Sequence, residues 1–297
     1  RTKDAAGAWT PAASGEFTTG FFNAADWRGS SWIYTDDRGD ATGVSDFRAT
    51  FAPAADKTVK EAFWTVTALG LFEAYVNGAP VTSAEADGSR VRDLLKPGYT
   101  ETVKNHLVRH AWTYDVTAQL VAGANTLAAR VGAGWWRDEV IHKDLSIDAT
   151  RQDCFRAVLT VRYTDGTSER FCTDTANWKA AYADGVTFAT IYGGEHFDAR
   201  VSRDWLAGGE LDANWKTPST YVWNGAIEPF PGSNVRARED LALAPTNAYA
   251  WADVTGAGDS VHGDVVVRRR YAAGEAMTLE PGETLIVDFG PNAGAIP

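Results

Sequence analysis

The chain has 297 residues, 44% of them hydrophobic, and a formal charge of -11 at pH 7. That length holds one large domain or two modest ones with a real core. The acidic balance excludes nucleic acid as a partner, because phosphate binding rests on clustered Lys and Arg and the basic run "VRRRY" (Val267 to Tyr271) is too short to reverse it. No apolar stretch approaches the ~20 residues that span a bilayer, and the opening "RTKDAAGAWTP" has no apolar signal core, so a soluble chain with no membrane partner is expected. It opens without Met and closes on "VDFGPNAGAIP", which reads as a piece of something longer. Twelve Trp, ten Tyr and thirteen Phe beside 28 Gly is the composition of a β protein, with most aromatics serving as core residues or cross-strand pairs.

In chain order, the runs "FRATFA" (Phe47 to Ala52), "VKEAFWTVT" (Val59 to Thr67), "LFEAYVNG" (Leu71 to Gly78), "LVRHAWTYDVT" (Leu107 to Thr117), "NTLAARVG" (Asn125 to Gly132), "FRAVLTVRYTDG" (Phe155 to Gly166) and "VTFATIY" (Val186 to Tyr192) alternate with period two between Gly, Asn-Gly or Asp-Gly turns. They predict strands. No long helical period occurs, although "DVTAQLVAG" suits one turn capped by Thr117. Many short strands with few helices predict an all-β antiparallel sandwich or barrel. From Trp205 to Arg238 the alternation gives way to Pro, Gly, Asn and Trp, which predicts an extended strap on the sandwich or a linker leaving it. The last strands, within Asp264 to Gly290, are too few to bury their own faces. Three segments follow: a lead-in over 1–22, the sandwich with its strap over 23–235, and a truncated second β-domain over 236–297.

Cys154 begins a strand that turns at Asp165-Gly166 and returns through "SERFCTD", which puts Cys172 opposite Leu159 or Thr160. At about 3.3 Å per residue the two sulfurs stand over ~15 Å apart, and a disulfide needs Cα atoms within ~7 Å. Two free thiols are expected, with neither zinc nor redox chemistry.

The run "YGGEHFDAR" (Tyr192 to Arg200) gathers two carboxylates, a histidine and an arginine. Glycoside hydrolysis needs two carboxylates facing one bond, and in a strand Glu195 and Asp198, three apart, point to opposite faces. No catalytic residue is assigned. Asp198 and Arg200, two apart, are placed to pair bidentately on one strand face, and Glu195 to bond turn amides or, second, to contact a ligand. The histidines are scattered, and no nucleophile elbow, zinc-binding helix or phosphate loop is present.

The stretches "VTALGLFEAYVNGAPV" (Val66 to Val81), "LKPGYTE" (Leu95 to Glu101), "WTYDVTAQLVAGANTLAARVGAGWW" (Trp112 to Trp136) and "NWKAAYADGVTFATIYGGEHFDAR" (Asn177 to Arg200) resemble, in order and spacing, the N-terminal β-sandwich of bacterial α-L-rhamnosidases of glycoside hydrolase family 78. "FTTGFFNAADWRGSSWI" (Phe17 to Ile33) resembles the entry into that domain and "LIVDFGPNAG" the opening of the next. The resemblance implies a galactose-binding-like jelly roll. In some members it serves as a calcium-dependent L-rhamnose-binding module of carbohydrate-binding module family 67. It also implies a parent α-L-rhamnosidase whose catalytic (α/α)6 barrel lies further along the chain, in an extracellular, periplasmic or cell-surface setting. The chain departs from the family pattern at Tyr99, where Trp is usual, and in the lengthened loop Thr82 to Asp93 before it.

For a sugar site, "GAGWWRDEVIHKD" (Gly132 to Asp144) offers indoles to stack on a pyranose and polar groups to bond its hydroxyls. The candidates are Trp135, Trp136, Asp138, Glu139 and His142, with Tyr99 and Glu195 beside them. The alternative for each Trp is a plug at the end of the barrel, and for the chain a structural spacer that packs against the catalytic barrel and binds no sugar. Calcium needs several oxygen ligands in one place, for which Asp36, Asp37 and Asp40 are candidates without a recognised loop spacing.

Overall fold

The computed structural model describes residues 3, 5–9, 18–36, 43–84, 90–91, 108–137, 151–190, 194–230, 242–252, 266–272 and 274–291. The chain divides into two units, Arg1–Ala237 and Arg238–Pro297. In chain order the first carries β1 (Trp32–Tyr34), β2 (Ser45–Phe51), β3 (Val59–Leu69), β4 (Leu71–Val76), β5 (Ala79–Pro80), β6 (Ser83–Ala84), β7 (Arg90–Val91), β8 (Val108–Asp115), β9 (Asn125–Gly132), a one-turn helix α1 (Gly134–Arg137), β10 (Cys154–Tyr163), β11 (Ser168–Cys172), β12 (Trp178–Tyr182), β13 (Val186–Thr190), β14 (Gly194–Phe197), β15 (Ser219–Tyr221) and β16 (Ala226–Pro229).

One sheet has seven strands in the order β15-β1-β10-β3-β8-β16, with β11 sharing an edge of β10. The other has five in the order β12-β2-β9-β4-β5. Pairing is antiparallel except between β16 and β8, which run parallel. All seven alternating runs carry strands: six bury alternate residues between the two sheets, and the seventh, β13, pairs with β14 outside them. Phe47, Ala49 and Phe51 of β2 and Leu127, Ala129 and Val131 of β9 face Trp64 and Val66 of β3, Trp112 and Tyr114 of β8, and Phe155 and Leu159 of β10 in one core. Contact across the layers is aromatic: Phe47 stacks on Phe155 at 5.7 Å and Phe72 meets Trp112 edge-on at 5.9 Å. Each such buried ring is worth about 1.5–3 kcal/mol.

The chain passes from one sheet to the other through the single residue Gly70, between β3 and β4. Its φ of 133° is open to glycine alone, and a Cβ there would run into the Gly132 carbonyl oxygen.

Two turns differ from expectation. The β10–β11 hairpin closes through three residues, Thr164 to Gly166, with Gly166 left-handed at φ 85° and its N–H donating to the Tyr163 carbonyl. A two-residue Asp-Gly turn would set the register one step further on. Cys172 therefore pairs with Val158 instead of Leu159 or Thr160, and Cys154 with Leu69, and both thiols are free. At Thr117–Gln119 the chain makes a single 3-10 turn, but its cap position is Val116. Asp115 takes the N-terminal donors, accepting from Thr117 N at 3.0 Å and Thr117 Oγ1 at 2.6 Å.

The segment after Trp205 lies on the sandwich as a strap. Trp205, Leu206 and Trp215 pack with Tyr75, Ala128 and Ala181 on the outer face of the five-stranded sheet. The strap then adds β15 beside β1 and β16 beside β8, at opposite edges of the seven-stranded sheet.

The second unit has a three-stranded sheet with β17 (Asn247–Ala252) between β18 (Val266–Tyr271) and β19 (Thr284–Asp288). It buries little: Ala250 is enclosed, whereas Val266, Val267, Met277, Leu279, Val287 and Phe289 are exposed. No helix among the described residues is long and apolar enough to cross a membrane.

Candidate functional site

Strand β9 ends at Gly132, and the Gly-Trp-Trp run follows as α1. Trp136 is only 6% exposed. Its indole N–H donates to the Gln152 carbonyl at 2.8 Å, and guanidinium groups stack on its ring, Arg109 at 4.8 Å and Arg151 at 4.5 Å. Arg109 also lies over Trp223 at 5.6 Å, and Trp223 meets Trp32 edge-on at 5.6 Å. Arginine and indole thus alternate in a column on the outer face of the seven-stranded sheet, held by cation–π attraction, with Arg109, Trp136 and Trp32 buried and Arg151 and Trp223 half-buried. Trp136 is taken up by this packing and does not stand on an open face. Next to it, Arg137 Nη1 donates to Asp153 Oδ2 at 2.6 Å, with both side chains fully buried.

A second buried charge pair lies on the outer face of the five-stranded sheet. Asp46 accepts from Arg130 Nε at 2.7 Å and Nη2 at 2.8 Å, and Arg130 also donates to the Asp184 carbonyl at 3.0 Å. Trp205 of the strap covers the guanidinium at 5.7 Å. Burial pushes the Asp46 carboxyl up to about 6, against the opposing pull of Arg130. Asp184 is raised as well, chiefly by burial and then by Asp212.

The "GEHFDAR" run forms a two-stranded ribbon, β13 with β14, outside both sheets. Glu195 is exposed on β14 opposite Ala189, and His196 packs on Phe188 at 4.8 Å. Asp198 and Arg200 do pair bidentately, at 2.8 and 2.6 Å, but on the turn after β14 instead of along a strand face. Arg200 donates backbone and side-chain hydrogen bonds to Asp198 and holds its carboxyl down to about 2. That acid is the ion-pair partner of Arg200.

Asp36 accepts from the Ser219 hydroxyl and raises the Tyr34 hydroxyl above its ordinary value, mainly through a hydrogen bond. Among the described residues no three His, Cys, Asp or Glu side chains gather as metal ligands. Tyr99, Asp37, Asp40, Asp138, Glu139 and His142, with the side chain of Trp135, lie outside the described residues. The column of Arg109, Arg151 and Trp223 and the pairs Arg137–Asp153 and Asp46–Arg130 were not singled out from the sequence. Their signal was a charge inside an alternating apolar run, as in "SDFRATF" and "NTLAARVG", which reads as solvent-facing until the covering segment is known.

A family model described as the alpha-L-rhamnosidase N-terminal domain matches residues 57–243. Curated alpha-L-rhamnosidases of Streptomyces avermitilis and Alteromonas sp. (strain LOR) are 33% and 30% identical over 236 and 234 residues, which is 78% and 75% of this chain. The chain spans only 22% and 23% of their respective lengths. Among solved structures, the Streptomyces avermitilis alpha-L-rhamnosidase complexed with L-rhamnose is 29% identical with a TM-score of 0.55, over 70% of this chain and 19% of that one. The native Aspergillus terreus alpha-L-rhamnosidase, 24% identical with a TM-score of 0.61 over 82% of this chain and 26% of that one, shares the fold. The matched region takes in well over half of the chain and most of the two-sheet core, and the chain belongs to the alpha-L-rhamnosidase N-terminal domain family.

Proposed function

We propose that this chain is a non-catalytic accessory region of an α-L-rhamnosidase-like glycoside hydrolase and binds L-rhamnose-containing glycans. Hydrolysis then belongs to an (α/α)6 barrel elsewhere in the parent chain, on a protein at the cell surface, in the periplasm or outside the cell. The observation that carries this is the family match over 57–243. The Streptomyces avermitilis relative, solved with L-rhamnose, supports the sugar class. The ion pair of Asp198 with its own Arg200 supports leaving that carboxyl out of a hydrolytic pair with Glu195. Binding is assigned to the segment that follows β9, with Trp135 as the stacking residue and calcium bridging protein oxygens to sugar hydroxyls.

The rival reading is a spacer that packs against the catalytic barrel and binds no sugar. The burial of Trp136 favours it, because one of the two candidate indoles is spent on the fold. A glycan array on the 297-residue chain, with and without chelator, separates the two. Retention on rhamnose-bearing glycans that Trp135→Ala abolishes at unchanged melting temperature supports binding. A folded chain that is retained on none of them leaves the spacer. Loss under chelator with recovery on adding calcium assigns the ion.

A further inference from the structure

The dipeptide Asn-Gly occurs twice, at Asn77–Gly78 and at Asn224–Gly225, and the fold gives its two copies opposite surroundings. Asn77 turns the chain between β4 and β5 in the left-handed region, at φ 51°. Its amide is held at both ends: Nδ2 donates to the Gln119 carbonyl and to Asn125 Oδ1, each at 2.9 Å, and Oδ1 accepts from Thr126 N at 2.8 Å. Asn224 lies in the strap between β15 and β16. It is exposed, and its side chain makes no hydrogen bond among the described residues. The main chain around it is outside the ladders as well, since β15 ends its pairing at Tyr221 and β16 begins its own at Ala226. Gly225 carries no Cβ to screen its nitrogen from the neighbouring side chain.

We infer that Asn224 is a site of spontaneous covalent modification, in which the Gly225 backbone nitrogen attacks the carbonyl carbon of the Asn224 side chain. The new N–Cγ bond forms and the Cγ–Nδ2 bond breaks. The side-chain nitrogen takes the Gly225 amide proton and leaves as ammonia, and a closed succinimide ring remains. Water then opens that ring at either carbonyl, giving aspartate or isoaspartate. Both products put a carboxylate where the amide stood. Isoaspartate also routes the main chain through the former side-chain carbon and lengthens it by a methylene. The added length falls between two strands pinned at opposite edges of the seven-stranded sheet, one residue from Trp223, whose ring packs edge-on against Trp32. At Asn77 the same attack has to release the amide from its three hydrogen bonds, which at the usual net strength of each slows it by about a hundredfold.

Incubation of the folded 297-residue chain at mildly alkaline pH, then digestion and peptide mapping by mass, reads both dipeptides in one sample. The Asn224 peptide should take on the mass of the acid and resolve into aspartate and isoaspartate forms about a hundredfold faster than the Asn77 peptide. In denaturant, where the hydrogen bonds of Asn77 are gone, the two should convert at similar rates. Gly225→Ala suits the backbone, because Gly225 is not left-handed. That variant should slow conversion at Asn224 by about tenfold or more and leave Asn77 as it was. Asn77 reacting as fast as Asn224 in the folded chain, Asn224 unchanged while folded but converted in denaturant, or conversion undiminished by Gly225→Ala would each overturn the inference.

Discussion

Asp46→Asn probes the ion pair under the strap through its pH dependence. Asp46 has no exposed surface, and burial lifts its carboxyl from 3.8 to about 6 although Arg130 grips both oxygens. Because the folded-state value lies above the unfolded one, the folded chain holds the proton more tightly. Its stability should rise as pH falls through about 6 and level off below the unfolded value of 3.8. At ~1.4 kcal/mol per pH unit the full swing is roughly 3 kcal/mol, of which about 1.3 kcal/mol falls between about pH 7 and about pH 5. Asp184 shifts in the same direction and adds to the slope. Asp165 and Asp198, both held down to about 2, act the opposite way, but only below 3.8. Urea unfolding followed by tryptophan emission, at about pH 7 and about pH 5, reads the slope. The wild-type midpoint should move up on acidification, and Asp46→Asn should lose most of that movement whatever its absolute stability. A wild-type midpoint that drops between the two pH values, with a flat response in the variant, would show that the carboxylate is better off charged beside Arg130. The assignment of burial as the dominant influence would then be refuted.

Gly70→Ala puts a Cβ against the Gly132 carbonyl at a φ of 133° and should cost about 3 kcal/mol or more, seen as a large drop in melting temperature; a drop of a degree or two would mean that the corner between the sheets gives way easily. Cys154 is buried and Cys172 half-exposed, and both are free. Alkylation without reductant should therefore label Cys172 first in the native chain and both thiols in denaturant, as counted by intact mass, and an unlabelled pair in denaturant would contradict the register of β10 against β11.

The core strands were legible because each places every second residue against the opposite sheet, as in Phe47, Ala49 and Phe51, and such alternation is written in the residues themselves. Turns were legible only to within a residue. The Asp-Gly pair marks a reversal, but whether it closes through two residues or three depends on which one takes the left-handed conformation, here Gly166. The outer faces were the least legible. Arg130, Asp46 and Arg109 occupy strand positions that alternation assigns to solvent, and they are buried only because Trp205, Trp215 and Trp223 arrive from far along the chain. Trp136 kept two readings for the same reason: an indole beside polar residues suits a sugar platform and a packed column equally well, until Arg109 and Arg151 are seen against its ring.

The strap also bears on how the chain is made. Strand β1, near the start, pairs with β15, reached only after both sheets have been laid down, so Ile33 waits for Thr220. During synthesis one margin of the seven-stranded sheet stays open until the last part of the first unit leaves the ribosome, and the other stays open at β8 until Ala226 to Pro229 arrive. Open margins are where nascent β proteins join one another. Closing them over so long a separation is slow, because the loop entropy is lost before the contacts form. Expression of a chain cut before residue 219 should for that reason yield aggregates even though every fully buried residue of the core between the two sheets is present.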